Sequence, residues 1–70
     1  MKSLTLQIAS HPDREHVVSE VWFGNDQVAE VSNANGSLVR IEIFSPPNGG
    51  SWSFDFDVFQ SILIDAKNNL

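Results

Sequence analysis

"SPPNGGSWSFDFDVF", residues 45–59, is where the chain changes its periodicity. Before it, apolar residues recur at every second position; after it, they recur every third and fourth. Pro46 and Pro47 cannot donate to a strand ladder and so end the segment that precedes them. Gly49-Gly50 lets the chain reverse. Trp52, Phe54 and Phe56 then arrive at alternate positions, interleaved with Asp55 and Asp57. Aromatics and acids presented together suggest either a binding site or a joint that seats a helix. The joint is the better reading, with the aromatics assigned to the core and Asp55 as N-cap. Asp57 falls in the first helical turn, where the helix dipole favours an anion.

Downstream, Phe59, Ile62, Leu63, Ala66 and Leu70 follow the spacing of one helical face. A helix is expected over about 56–68, with Lys67 suited to its C-terminal pole. Upstream, "SLTLQI" at 3–8 alternates as a strand does. The β-branched and aromatic run "HVVSEVWF" at 16–23, "QVAEVSN" at 27–33 and "SLVRIEIF" at 37–44 supply three more. The chain is therefore expected to be a single α+β domain over 1–70. Its architecture is a four-stranded antiparallel β-meander with one C-terminal α-helix packed on one face.

Register follows from the turns, because a slip of one residue moves every side chain to the other face. Three-residue loops at Gly24–Asp26 and Ala34–Gly36 put Val21, Ala29 and Ile41 in one row and Val31 opposite Val39. Phe23 and Ile43 join that face, with Gln27 as the misfit. The other face then receives Glu20, Glu30 and Arg40 in one row, and Trp22, Val28 and Glu42 in the next. Val18, Leu38 and Phe44 fall on it too. A single helix covers one face of a sheet, so this second face is expected to be open.

Composition narrows the function. At 70 residues, 41% hydrophobic and 19% charged, the chain is globular rather than disordered. So short a chain buries only about 60% of its unfolded surface, which leaves a thin core. Nine acids against four bases give a net charge of −5, the wrong sign for a nucleic-acid binder. Complementary fields would favour a basic protein partner. No window approaches the ~20 apolar residues of a membrane span. The first residues lack the continuous apolar run of a signal peptide, and a cytoplasmic location is expected.

Little here points to catalysis. His11 and His16 flank Pro12, Asp13, Arg14 and Glu15, a spacing that matches no zinc signature, so they read as a solvated loop. Asp55 and Asp57 sit where a helix dipole keeps them ionised, which works against a general acid. There is no cysteine, no nucleophile elbow, and "PNGGS" lacks the lysine of a phosphate-binding loop. A sheet with one helix also leaves little room for a cleft of about 300 Å³. Neither an enzyme nor a cofactor is expected. The open face is the candidate site, with Glu20, Trp22, Asp26 (at its edge), Glu30 and Glu42 as partner-binding residues; tryptophan is enriched among interface hot spots.

The stretch "IEIFSPPNGGSWSFDFDVF" with the later "AK" resembles small immunity-type proteins of bacterial polymorphic toxin systems, including contact-dependent growth inhibition. The resemblance spans roughly residues 20–70 and is carried by Ile41, Ile43, Pro47, Gly49, Trp52, Phe54, Asp55, Ala66 and Lys67. Phe56, Phe59, Ile62 and Ile64 stand where leucine-rich helices are usual. The resemblance implies an antitoxin-like inhibitor that binds a toxin domain and covers its active or substrate-binding surface. Two other classes suit the same features: a phage-encoded inhibitor such as an anti-CRISPR protein, and a self-associating structural module whose open face is a homodimer seam.

Overall fold

The computed structural model describes residues 2–10, 17–33 and 38–70. The loop with His11 and His16, and the turn at 34–36, lie outside the described residues. Four strands, β1 (Leu4–Ser10), β2 (Val17–Phe23), β3 (Asp26–Ser32) and β4 (Arg40–Ile43), are followed by one helix, α1 (Phe56–Asn68). The sheet is an antiparallel meander in the order β1-β2-β3-β4, and α1 packs on one face of it. This is the α+β architecture the periodicity predicts.

The β2–β3 hairpin departs from the expected turn. The loop is two residues, Gly24-Asn25, with Phe23 paired to Asp26. Gly24 has φ +63°, a backbone conformation that calls for glycine; a Cβ there would meet only the exposed Lys2 side chain, which can move aside. The residue removed from the loop reappears as a β-bulge: Val21 pairs Ala29, yet Trp22 pairs Gln27, which leaves Val28 without a partner. The bulge resolves the Gln27 misfit. Gln27 moves to the row of Trp22, and Val28, expected on the open face, is instead buried in the core with Val21, Ala29, Val31 and Ala66.

The β3–β4 register is also corrected. Ala29 faces Ile43 and Val31 faces Ile41, two residues from the expected pairing, so Glu30 faces Glu42 rather than Arg40. A shift of two keeps every side chain on its own face, so an alternating pattern cannot detect it. The expected Glu30–Arg40 cross-strand pair is therefore absent; Arg40 faces Ser32.

Helix α1 starts as the sequence predicts. The Asp55 carboxylate accepts from the Val58 N–H at 3.0 Å, Asp57 lies in the first turn and Lys67 in the last. Its inward face carries Phe59, Ile62, Leu63 and Ala66, and Leu70, just past the helix end, packs against the same core. At Ala66, which is fully buried, helix and sheet come closest: the buried Ser19 hydroxyl donates to the Ala66 carbonyl oxygen at 2.7 Å. The helix lies across β1, β2 and β3 and does not reach β4. Ile41 and Ile43, expected beneath it, remain 45% and 61% exposed.

The joint at 45–59 is an aromatic stack. Trp52 and Phe54 stack at 5.5 Å between centroids, as do Phe54 and Phe59 at 5.4 Å, and Phe23 meets Phe54 edge-on at 5.2 Å. The Trp52 Nε1–H donates to the Phe44 carbonyl oxygen at 2.7 Å, tying the end of β4 to the start of the helix. Phe56, assigned to the core with the other aromatics, is 75% exposed. It is the first helical residue, where alternation stops and the 3.6-residue period begins.

Trp52→Phe keeps the stack and loses the hydrogen bond, at an expected cost of about 1 kcal/mol. Trp52→Ala loses both and is expected to cost about 3 kcal/mol or more. A domain of this size holds roughly 3–5 kcal/mol in total. Urea titrations of the two variants check the order: Phe should lower the midpoint modestly, and Ala should lose most of the parent's stability.

Candidate functional site

The face opposite α1 is built by cross-strand pairing. Gln7 pairs Glu20, Glu20 pairs Glu30 and Glu30 pairs Glu42, so one row crosses all four strands with three consecutive carboxylates. Thr5, Trp22 and Gln27 form the adjacent row. Side chains directly opposite on one face sit about 4.5–5.5 Å apart at Cβ, so each row is a continuous strip.

The strip is not uniformly accessible. Glu42 is exposed, Glu30 and Trp22 are half-buried, and Glu20 is 8% exposed. The Trp22 Nε1–H donates to Glu20 Oε1 at 3.2 Å. Glu20, itself beneath the surface, thus orients the half-buried Trp22 indole, while Trp22, Glu30 and Glu42 are the strip residues that reach the surface. Val18, which alternates with Ser19 and so belongs to this side, is 1% exposed and forms no part of an accessible patch. Asp26 is separate from the strip. It pairs with Phe23, a member of the aromatic stack on the helix side, and lies 3.9 Å from Lys2 Nζ in a half-exposed salt bridge. The structure therefore brings Glu20, Trp22, Glu30 and Glu42 together and leaves Asp26 at the end of the sheet on the other face. Gln27 is the strip residue that alternation misassigned, and its misfit in the core row was the signal.

A second feature lies between β4 and α1, where the helix falls short. A groove of about 310 Å³ is lined by Val28, Ile43, Trp52, Phe54, Phe56 and Phe59. Another of about 180 Å³ follows along Val31, Val39, Arg40, Ile41, Leu63 and Lys67. The first reaches the cleft size that a one-helix sheet was expected to lack. Its lining carries no titratable side chain, so it offers apolar contact and no acid or base. Among the described residues, no three His, Cys, Asp or Glu side chains are grouped to hold a metal ion. No described helix is long and apolar enough to cross a membrane.

Compared with known proteins, the chain matches no protein-family model, no curated protein and no solved structure.

The burial difference along the strip has a measurable consequence. Glu20→Ala removes the acceptor of a part-buried indole N–H and is expected to destabilise the fold by about 1–2 kcal/mol. Glu42→Ala, at an exposed position, should stay within about 0.5 kcal/mol of the parent. Equilibrium denaturation of both variants, followed by far-UV circular dichroism, checks the contrast.

Proposed function

We propose that this chain is a stoichiometric protein inhibitor, an immunity protein that acts in the cytoplasm by binding a basic toxin domain through its open sheet face. The observation that supports this reading is the row Glu20–Glu30–Glu42, three carboxylates in register on the face that the helix leaves uncovered. The net charge of −5 has the same sign. Toxins that cut nucleic acid need cationic substrate surfaces. Such a surface would be steered toward this strip and would meet Glu30 and Glu42 first. Trp22, fixed by Glu20, supplies a flat apolar anchor beside the charges, a residue type enriched at interface hot spots. Binding would also stabilise a domain with so thin a core, because a ligand that binds only the native state adds to its stability.

The test is co-expression of the full chain with its cognate toxin, together with binding kinetics of the purified pair. Glu30→Lys should weaken binding at least about tenfold, chiefly by slowing association, with the loss shrinking as salt rises. Trp22→Ala should weaken it by faster dissociation. If both folded variants protect cells as well as the parent does, the open-face reading is wrong.

A further inference from the structure

The exposed edge at β4 is self-complementary, and we infer that two copies of this chain pair there, antiparallel about a two-fold axis at Ile41, into a continuous eight-stranded sheet. The inference does not rest on the proposed toxin partner.

The backbone geometry comes first. The Phe44 N–H donates to the Val28 carbonyl oxygen at 2.8 Å. Antiparallel ladders alternate between hydrogen-bonded and non-hydrogen-bonded pairs. Glu42–Glu30 and Arg40–Ser32 are thus the bonded pairs to β3, and Val39, Ile41 and Ile43 turn their N–H and C=O groups outward. β4 ends the sheet, and no backbone hydrogen bond among the described residues engages these outward groups, so they can template a further strand.

The side chains specify which strand fits. Val39, Ile41 and Ile43 project on the helix side, where α1 does not cover them, and each is exposed. Arg40 and Glu42 project on the other side, are exposed, and take part in no salt bridge among the described residues. Set a second copy antiparallel with Ile41 opposite the partner's Ile41. Val39 then faces the partner's Ile43, Ile43 faces the partner's Val39, and all three pairs use the outward backbone groups. The intervening pairs are Arg40 with the partner's Glu42 and Glu42 with the partner's Arg40. These are non-hydrogen-bonded pairs, where side chains approach most closely. Apolar residues thus meet apolar residues on one face, and opposite charges meet twice on the other. In the monomer, Glu42 has only Glu30 directly opposite it; the second copy would place a guanidinium on its other side.

Charged residues often blunt an edge against association, but they do so when the charges repel. Here the order Arg-x-Glu is complementary to itself when reversed. The other edge, β1, lacks this property: its open-side residues Thr5 and Gln7 are uncharged, and α1 packs over the strand. Pairing β4 with a neighbour's β1 would also give a head-to-tail contact that need not close.

Sedimentation equilibrium of the full chain should show a monomer–dimer equilibrium with no larger species. Arg40→Glu and Glu42→Arg each replace two attractive pairs by two repulsive ones and should weaken dimerisation roughly tenfold or more. The double variant Arg40→Glu/Glu42→Arg restores opposite charges and should dimerise like the parent. Mixing the two single variants should give a heterodimer, since the acidic edge of one then faces the basic edge of the other. Circular dichroism identifies any variant that fails to fold. A parent chain still monomeric at about 1 mM, where even a 4 kcal/mol association would register, overturns the inference. So does a dimer insensitive to both charge reversals, and so does an open-ended series of oligomers, which would assign the contact to β4 and β1.

Discussion

A single α-helix is about 10–12 Å across, and neighbouring strands are spaced about 4.8 Å apart. One helix therefore covers about three strands, and this sheet has four. That mismatch of width organises the molecule. The helix settles over β1, β2 and β3, seated where Ser19 bonds the Ala66 carbonyl oxygen and where no larger side chain separates helix from sheet. The fourth strand is held from one end by the Trp52–Phe44 hydrogen bond and along one side by β3. Its apolar side chains stay partly in water, with the apolar groove beside them.

Much of this architecture was legible in the sequence, because period and capping are local properties. Alternation marked the strands, the 3.6-residue spacing from Phe59 to Ala66 marked the inward helix face, and Asp55 announced the cap. What escaped was non-local. A two-residue shift between β3 and β4 leaves hydrophobic alternation unchanged, so nothing in "SLVRIEIF" separates Ile41 from Ile43 as the partner of Ala29. The bulge at Val28 escaped for a related reason: an extra residue is accommodated equally well in a loop or in a strand. Packing decides between them, by burying a valine in place of a glutamine. Phe56 was misread because it stands on the boundary between two periods.

The candidate site shows the same division. That Glu20, Trp22, Glu30 and Glu42 share a face followed from parity and survives every correction of register. Their order did not. The carboxylates form a single row only because β4 is displaced by two residues, which exchanges Arg40 for Glu42 opposite Glu30. The expected row would have ended on a cation at β4; the observed row carries a carboxylate on each of β2, β3 and β4. The electrostatic character of the face is thus a consequence of strand register as much as of composition.

The two tryptophans lie on opposite sides of this sheet, and the chain has no tyrosine. Trp52 is stacked on Phe54 with its N–H on a backbone carbonyl, whereas Trp22 gives its N–H to a carboxylate. The molecule consequently carries two intrinsic optical probes in unlike surroundings. One senses whether the helix is docked, and the other senses what lies against the open face. Replacing either indole by phenylalanine leaves a chain whose near-ultraviolet emission reports on one surface alone.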